Sequence, residues 1–545
     1  MEEIKPSHKA FWAVTKALKT EEYTPIPPLK KPHNSMVIDD AEIAKSLADS
    51  IETQCSHASP PHDIAHISRI EEEVLQKTSL EPKDDLAPVS LSEVQTLVKS
   101  LNTRKAPGLD GISKKAIKCF SIPLLSLLVV IFNACIKKCY FRPAWKEAEV
   151  IGIHKPGKPR DLPASYRPIS LLSSLGKLFK KILKTRLSDH LLGKGLIIVE
   201  QFGFRPAHSC PQQVLRLVEY VSEGFETERS TVAVFFDVAK AFDRVWHAGL
   251  IYKLYSLQVP DRLIITIQNY LANRNFTFRH ERTHSTRRLI RAGVPQGSTL
   301  SPLLYSAYTN DVPRPSSSGV QLALFADDTA LFYGSRNRST RFTLLPFQRA
   351  IDELDQWFRK WRIEVNPDKS AAIQFKYGKI RSRLIVDKNT PNLKMLDANI
   401  PWQRNYKYLG VTLDKNLHFR DHIERVRNTA LFYKARLGAV LGRKSKLSRR
   451  NKRTIYKMCI RTVMTYASPV FAHAAPKALH RLQDASKRFF DIAGSHPNAL
   501  LRAAVEYQQL HPTHLIRRPR NVLTDPPDAF TAAVESLNDV NYTHD

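Results

Sequence analysis

Three aspartates close two apolar segments of this sequence, and carboxylates in that arrangement can support metal-assisted phosphoryl transfer. Asp237 ends the run TVAVFFD, and ninety residues later Asp327 and Asp328 lie at the centre of LALFADDTALF. The apolar flanks predict β-strands, with the Asp–Asp pair as the turn of a hairpin. Three carboxylates brought together would repel one another unless hard cations such as Mg²⁺ lay between them. Two such ions about 4 Å apart can activate an attacking oxygen and stabilise a leaving one.

Simpler interpretations stay open on these residues alone. Asp is a favoured residue at a solvated hairpin tip. The segment RAGVPQGSTLSP at 291–302 contains glycines that would let the backbone approach a phosphate or a base closely. A plain turn between a strand and an apolar helix fits that segment equally well.

The composition indicates the class of binding partner more clearly than it indicates the fold class. The 545 residues suffice for several domain-sized units, and 83 Lys and Arg against 52 Asp and Glu leave a net charge of +31. This excess predicts a polyanionic partner, with an anionic membrane surface as the alternative. A basic protein with a carboxylate cluster is therefore a candidate for metal-dependent nucleic-acid chemistry.

Other features argue against secretion and against a membrane protein. Six cysteines with no paired pattern favour a reducing compartment over a disulfide scaffold. The N-terminus lacks the apolar core of a signal peptide. The most apolar window, residues 122–136, is short for a membrane span and predicts a buried helix.

The elements that must position the aspartates mix strands and helices without a regular βαβ alternation, which predicts an α+β fold. Residues 1–85 are rich in breakers and predict a linker with one or two helices rather than a core. A helical stretch is expected after Asp237, with Phe242 and Asp243 near its start.

Two basic rows have helical spacing. The first lies on a helix predicted after Tyr166 and is either a solvated face or a nucleic-acid contact; its members are Lys177, Lys180, Lys181, Lys184 and Arg186. The second runs from Lys415 to Lys457, where fourteen Lys or Arg accompany two acids. It can follow a phosphate backbone with a salt-dependent affinity. For RKSKLSRRNKR at 443–453, a nuclear-import patch or a solvated face is the alternative.

Several motifs, in a fixed order, carry a resemblance to a known family. FFDVAKAFD (235–243), GVPQGSTLSP (293–302) and FADD (325–328) resemble the palm motifs of reverse transcriptases. Further segments resemble the polymerase of non-LTR retrotransposons of the Jockey type. They are RKAPGLDGI (104–112), HKPGKPRDLPASYRPISLLSSLGKLFKKIL (154–183), QFGFRPAHSC (201–210), NPDKSAAIQF (366–375) and YKYLGVTLD (406–414). The resemblance covers roughly residues 86–500.

The resemblance implies an RNA-directed DNA polymerase that adds dNTPs to a primer 3′-OH on an RNA template, using two Mg²⁺ ions or Mn²⁺. It implies a right-hand architecture with an antiparallel palm sheet. Its divisions are an N-terminal linker 1–85, fingers 86–230, palm 231–412, a helical thumb 413–500 and a C-terminal tail 501–545. The implied partners are the RNA template, the DNA primer or target and dNTPs, without a membrane. A ribonucleoprotein of nucleus and cytoplasm is expected.

The catalytic residues follow from the same resemblance. Asp237, Asp327 and Asp328 match the metal-binding carboxylates of the family. Lys369 in NPDKS matches a lysine placed to protonate the pyrophosphate leaving group, which would be general-acid help.

Residues for substrate follow in the same way. Lys155 and Arg167 fall in a region that resembles the fingers hairpin clamping the triphosphate, and Arg suits phosphate because its planar fork bonds two oxygens. Phe242 matches the bulky residue that excludes a ribose 2′-OH, with core packing as the alternative. Gln296 and Gly297 match the loop that lies against the incoming nucleotide and template.

Tyr408, Leu409 and Gly410 match the hairpin of the family that grips the primer end.

The chain also departs from the family pattern. No endonuclease is recognised ahead of the polymerase, and no RNase H domain or Cys/His knuckle is recognised after it. A truncated reading frame is one explanation. A non-catalytic nucleic-acid-binding remnant and an RNA-templated RNA polymerase or maturase-like relative are the competing functions.

Overall fold

The computed structural model describes residues 26–474, apart from 32–34, 57–62, 104–105, 156, 316–318, 336–339, 377–385, 387–389, 396, 443–444, 446 and 473. Helices and strands are mixed throughout this part of the chain, which confirms the mixed composition of the predicted α+β fold. None of the described helices is long and apolar enough to cross a membrane. The six cysteines are all unpaired thiols.

Strands and helices alternate irregularly along the described chain. The strands are β1 Leu29–Lys30, β2 Met36–Val37, β3 Ala148–His154, β4 Tyr166–Leu171, β5 Ser230–Val238, β6 Arg274–His280, β7 Thr283–His284, β8 Arg288–Ile290, β9 Gln321–Phe325, β10 Asp328–Ser335, β11 Val365–Phe375, β12 Lys394–Met395, β13 Ala398–Asn399, β14 Asn405–Tyr408 and β15 Val411–Asp414. The helices as far as Arg436 are α1 Asp40–Gln54, α2 Ile64–Ser79, α3 Leu91–Lys99, α4 Lys114–Lys118, α5 Ile122–Lys137, α6 Ser174–Leu191, α7 Cys210–Glu226, α8 His247–Ser256, α9 Asp261–Leu271, α10 Ser301–Tyr308, α11 Thr340–Lys360 and α12 Arg420–Arg436. Further helical segments follow at α13 Gly438–Leu441, α14 Arg449–Tyr456, a π-helical turn at Lys457–Arg461, α15 Thr462–Thr465 and α16 Ser468–Phe471, and 3₁₀ turns lie at Pro143–Trp145 and Pro163–Ser165.

An antiparallel sheet with the strand order β11–β5–β10–β9 lies at the centre of the fold. Side chains of β5 alternate between two cores. Val232, Val234 and Phe236 pack into the largest apolar cluster, and Ala233 and Phe235 pack into a second one on the opposite face. Because both faces of the sheet are covered, β5 is an almost continuous apolar run rather than an alternating one.

A second sheet has the order β4–β3–β6–β7, with β8 paired to β6, and helix α1 packs across it. Asp39 caps α1 by accepting a hydrogen bond from the Ala41 nitrogen at 3.0 Å. The apolar face of the helix, Ile43, Leu47 and Ile51, shares a buried cluster with β3 and β6. The expectation that this stretch is a linker without a core is therefore wrong for the described residues of 26–56.

Helix α2 joins the main core. Ile70 and Val74 are buried in the largest cluster, and Glu71 accepts a hydrogen bond from the indole nitrogen of Trp246 at 3.2 Å. One or two helices were predicted within residues 1–85, and two are present, both built into cores that they share with elements far along the chain.

The basic row on α6 is not one continuous face. The 3₁₀ turn at Pro163–Ser165 and strand β4 at Tyr166–Leu171 come first. Helix α6 therefore begins only at Ser174, which is later than the spacing predicts. Lys180 is 2% exposed, with its ammonium 5.6 Å from the centre of the Tyr270 ring. Arg186 pairs with Glu93 at 2.9 Å. Lys181 donates to the Ser100 hydroxyl at 3.1 Å. At least three of the five basic residues therefore have structural partners.

Helix α5, which contains the most apolar window, is buried on one face only. Leu125 and Phe132 lie in the main core at 7% and 0% exposure, whereas Leu127 and Val130 are 52% and 63% exposed. The predicted buried helix is therefore correct for half of its circumference.

The region after Lys415 is helical, as its spacing predicts. Helix α12 packs Ile423 and Val426 into the second core and Ala430 into a smaller cluster with α14. Part of the basic run 443–453 lies outside the described residues.

Candidate active site

The three predicted carboxylates lie at one edge of the central sheet. Thr329 of β10 pairs with Phe236 of β5, and Ala330 pairs with Phe235. One further step in this register places Asp328 opposite Asp237. Because side chains alternate along a strand, both carboxylates lie on the sheet face that carries Phe235. Asp327 precedes β10 in the turn of the hairpin.

The sharp turn that presents the Asp–Asp pair is held by a segment that sequence reasoning did not assign to the site. Ala326 adopts a left-handed conformation, with φ of 60°. The side-chain oxygen of Gln201 accepts hydrogen bonds from the nitrogens of Ala326 at 3.1 Å and Gly203 at 2.8 Å. A Cβ atom on Gly203 would overlap the Ala326 backbone. The signal was available in the motif QFGF, which contains both residues.

The carboxylates perturb one another electrostatically. Burial, followed by the charges of Asp327 and Asp237, raises the pKa of Asp328 to about 6. Burial and the Asp237 charge also raise the pKa of Asp327, against the effect of a backbone hydrogen bond. This mutual repulsion is what a bound cation would relieve.

The donor set fits a hard divalent cation because all the oxygens come from carboxylates. In the described part of the chain, no group of three or more His, Cys, Asp or Glu side chains is already arranged around an ion position. The carboxylate edge is therefore a set of neighbouring donors rather than a closed cage. Further oxygen ligands from water or substrate phosphates would complete a coordination shell there.

Lys369 lies beside the carboxylate edge. Its ammonium is 3.9 Å from Oδ2 of Asp237, and its side chain is 66% exposed. The pairing of β11 with β5 is irregular between Asn366 and Ala371, which displaces this stretch from the regular ladder. Ser370, the next residue, ties this stretch of β11 to β5, because its hydroxyl accepts a hydrogen bond from the Asp237 nitrogen at 3.1 Å.

Phe242 and Asp243 lie in a turn, and the expectation that they begin a helix is wrong. Helix α8 begins at His247. The turn is instead bonded to the glycine loop: the Val294 nitrogen donates to the Phe242 carbonyl at 2.7 Å, and the Gly293 nitrogen donates to the Val245 carbonyl at 2.8 Å. These long-range bonds satisfy the backbone groups that a helix would have used.

Gln296 reaches from the glycine loop to Asp243. Its amide nitrogen donates to both carboxylate oxygens, at 3.1 and 3.0 Å. Burial raises the pKa of Asp243 to about 6, although the bond from Gln296 and the charges of Lys240 and Lys155 oppose the shift. Gly297 has φ of 81°, and a Cβ atom there would meet open space. In the glycine loop, the Gln296 side chain is thus held by Asp243, and the neighbouring Gly297 backbone is unobstructed.

Phe242 is half-buried between aromatic rings. Its ring stacks on Tyr305 with centroids 4.8 Å apart, and it meets Phe204 edge-on at 5.9 Å. Phe204 is 48% exposed. The surroundings of Phe242 are therefore compatible with both of its predicted roles, core packing and contact with a ligand.

The two cations predicted for the triphosphate belong to one hairpin of the second sheet, with Lys155 directly after β3 and Arg167 on β4. Arg167 is exposed on β4, opposite Ile153 of β3. The ammonium of Lys155 donates to the Ala164 carbonyl at 2.8 Å, and burial and the Arg167 charge lower its pKa. The Asp243 charge raises the same pKa, which places Lys155 within electrostatic reach of the turn after β5.

The predicted primer hairpin, β14–β15, packs under the carboxylate edge. Tyr408 is 2% exposed, with its ring 4.8 Å from Phe235, so its side chain supports the sheet rather than facing solvent. The Leu409 carbonyl accepts a hydrogen bond from the Tyr466 hydroxyl at 2.9 Å. The Gly410 carbonyl accepts one from Arg425 at 2.6 Å. The hairpin tip is therefore braced by the C-terminal helices.

Comparison with known proteins gives consistent matches. Residues 153–413 match the family described as reverse transcriptase (RNA-dependent DNA polymerase). The chain is 33% identical over 483 residues to "Probable RNA-directed DNA polymerase from transposon BS" of Drosophila melanogaster, a match that covers 87% of this chain and 52% of the relative. It is 32% identical over 485 residues to "RNA-directed DNA polymerase from mobile element jockey" of Drosophila melanogaster, covering 87% of this chain and 51% of the relative.

A further relative gives the same picture. "Probable RNA-directed DNA polymerase from transposon X-element" of Drosophila melanogaster is 33% identical over 427 residues, which are 78% of this chain and 46% of the relative. The chain thus spans about half the length of these curated relatives. All of the motifs that place residues at the carboxylate edge lie within the matched regions.

Proposed function

Residues 153–413 belong to the reverse transcriptase (RNA-dependent DNA polymerase) family, and from this premise we propose that the chain extends a primer 3′-OH with dNTPs on an RNA template, as the polymerase of a non-LTR retrotransposon. The observation that carries the proposal is the register of β5 against β10, which sets Asp328 opposite Asp237 with Asp327 in the adjoining turn. The remnant without catalysis is not favoured, because these carboxylates are retained together with Lys369 and Gln296.

Asp237, Asp327 and Asp328 would hold the divalent metal ions that reverse transcriptases generally use, here proposed as two Mg²⁺ ions. When bound, such ions supply charge stabilisation for the attacking and leaving oxygens. The chain itself contributes the positions of these carboxylates, through the sheet register and the clamped Ala326 turn. Alignment and charge stabilisation account for most of the catalysis of phosphoryl transfer.

The surrounding residues have roles that suit their chemistry. Lys369, exposed beside Asp237, would hold a proton for the pyrophosphate leaving group. Arg167 and Lys155 would bind triphosphate oxygens. Gln296 and Gly297 would line the nucleotide position.

The wider assignments of the chain are also proposals. The central sheet would be the palm and the second sheet part of the fingers, while the helices from α12 onward would be the thumb beside the primer hairpin. RNA, a DNA primer or target and dNTPs would be the ligands of a ribonucleoprotein in nucleus and cytoplasm.

Primer extension on an RNA template with dNTPs and Mg²⁺ tests the proposal. The comparison is between the wild type and Asp327→Asn/Asp328→Asn, which keeps side-chain volume but removes charge. We expect the variant to lose about 10²–10³-fold of the extension rate, since two of the three carboxylate charges proposed to hold the metal are gone. Its affinity for the primer–template should stay within a few-fold.

A surface control separates chemistry from folding. Asp352→Asn on α11 removes a carboxylate that accepts a bond from Gln348 away from the site, and it should extend primers like the wild type. Binding without extension by the wild type would overturn the proposed activity.

A further inference from the structure

Asp243 makes an unusual contact for a buried carboxylate. It is 9% exposed, yet it is bonded through both oxygens to one neutral donor, the Gln296 amide nitrogen. Gln296 itself belongs to the exposed part of the glycine loop. The pair therefore joins a buried charge to a side chain that reaches the open side of the site.

The backbone around the pair is fixed independently of the two side chains. The Asp243 nitrogen donates to the Lys240 carbonyl at 2.9 Å, and a ring nitrogen of His247 lies 2.9 Å from the Gly293 carbonyl oxygen. A Cβ atom on Gly293 would overlap the Asp243 backbone. The turn and the loop are thus already in contact, so the Asp243–Gln296 bond is not needed to hold them together.

What the bond does determine is the orientation of the Gln296 amide. An ionised carboxylate has only acceptors, so it pairs with the NH₂ end of the amide and never with its carbonyl end. The carbonyl end then points away from Asp243, toward the open side of the loop. An asparagine in place of Asp243 would bond to either end and would leave both orientations populated.

We propose that Asp243 is a positioning residue for nucleotide selection: it fixes the Gln296 amide so that a hydrogen-bond acceptor faces the incoming nucleotide. The inference rests on the proposed polymerase function and deepens it. The substrate group recognised by this acceptor is a hydroxyl or amine donor of the nucleotide, not its phosphates, since two acceptors repel.

The cost of the arrangement supports a functional reason for the charge. Burial raises the pKa of Asp243 to about 6, which means that the folded environment disfavours the ionised form. Lys240, Lys155 and Arg274 lower this cost without removing it. A neutral residue would satisfy packing at lower cost, but it would not orient the amide.

Steady-state primer extension with a dNTP titration tests the proposal. Asp243→Asn should raise the KM for dNTP about twofold or more, because only about half of the Gln296 amides would then present the acceptor. The affinity for primer–template should stay within about twofold. Gln296→Ala should raise the same KM, and Asp243→Asn/Gln296→Ala should be no worse than Gln296→Ala alone, because both changes remove one interaction.

The control is Asp355→Asn on α11. Asp355 is also 9% exposed and pairs with Arg359, but it lies outside the glycine loop, so its loss should leave the KM for dNTP unchanged. Multiplicative penalties in the double variant, or an unchanged KM in Asp243→Asn, would overturn the positioning role.

Failure of the polymerase function can be recognised separately. If the wild type extends no primer, the same four proteins are compared by thermal unfolding. If the changes in melting temperature are not additive, they support the Asp243–Gln296 pair, although the nucleotide role is then lost with the activity. Additive changes overturn the pair itself.

Discussion

At the scale of single residues, the contribution of Asp243 to the free energy of unfolding should depend on pH, and the sign of this dependence follows from its pKa. Its folded pKa is about 6, above the ordinary value of about 3.9. Between these values the folded state binds more protons than the unfolded state, so the contribution of Asp243 to stability falls as pH rises from 4 to 6. At pH 7.5 the ionised group costs up to about 3 kcal/mol.

Asp243→Asn is therefore expected to be more stable than the wild type at pH 7.5, with the gain disappearing near pH 4. Urea unfolding of both proteins across this range measures the difference. The charged and titratable groups that face Asp243 are Lys240, Lys155, Arg274, Arg244 and Cys55. Their interactions with the Asp243 charge are already part of its folded pKa, and they are lost together with that charge in Asp243→Asn. A variant that is less stable at pH 7.5 contradicts the expectation.

Phe242 gives a second prediction at this scale. Its ring is held by Tyr305 and Phe204, so a smaller side chain would leave space beside the proposed sugar position. Phe242→Val should raise incorporation of rNTP relative to dNTP roughly tenfold or more, which is the range that a steric change in a pocket produces. Single-nucleotide incorporation with each substrate measures the ratio.

The matched control for Phe242 is Phe347→Leu, since Phe347 is fully buried in the main core away from the carboxylate edge. This change should lower stability while leaving the rNTP to dNTP ratio unchanged. An equal ratio for Phe242→Val and the wild type would leave core packing as the role of that ring.

At the scale of elements, the turn between β9 and β10 depends on the segment beside it. Gly203→Ala places a Cβ atom against the Ala326 backbone, and backbone cannot move aside as a flexible side chain can. We expect at least a tenfold loss of primer extension, because the Asp–Asp pair is displaced.

Gly438→Ala is the comparison, since a Cβ atom at Gly438 in α13 meets nothing within 4 Å. It should be neutral or slightly stabilising, as Ala is the better helix former. Extension rates and melting temperatures of both variants distinguish a local effect on the turn from a general loss of stability.

The elements that carry the carboxylates were predictable, and the contacts between elements were not. TVAVFFD and LALFADDTALF predict strands because their apolar runs end on turn residues, and β5, β9 and β10 confirm this. The helix expected at Phe242 was wrong because its backbone bonds go to the glycine loop, about 50 residues away in sequence. Lys253 likewise gave no signal: it is buried among Trp361, Trp357 and Tyr308 beside Asp311.

At the scale of the whole molecule, the net charge of +31 predicts nucleic-acid binding that weakens steeply with salt. Each neutralised phosphate contributes a slope of about −0.9 to the dependence of log K on log salt. Arg420, Arg427 and Lys434 are seven residues apart along α12 and share one side of the helix. Changing all three to Gln should reduce the magnitude of the slope by about two to three units.

Arg279→Gln serves as the control, because Arg279 is already paired with Glu149 at 2.9 Å. Its loss should leave the slope nearly unchanged. Fluorescence-anisotropy titrations of primer–template at several salt concentrations give the slopes. Equal slopes for the α12 variant and the wild type would show that this helix does not follow the phosphates.

The role of the N-terminal helices could not be predicted from local sequence. The spacing of Ile43, Leu47 and Ile51 indicates an apolar helix face, but the strands that cover it are identified only in three dimensions. The local pattern therefore predicted α1 from the helical spacing at residues 41–52, whereas the membership of α1 and α2 in the cores depends on partners far along the chain.

This separation has a consequence for synthesis of the protein. Asp49 of α1 bonds to Arg288 of β8, 239 residues later. At about 5–20 residues per second, a ribosome needs about 12–50 seconds to produce that partner after α1 has emerged. During this interval the apolar face of α1 lacks β6, which contributes Phe276 and Phe278 to the cluster that buries it. The nascent chain is therefore expected to require a chaperone or transient self-association until the second sheet is complete.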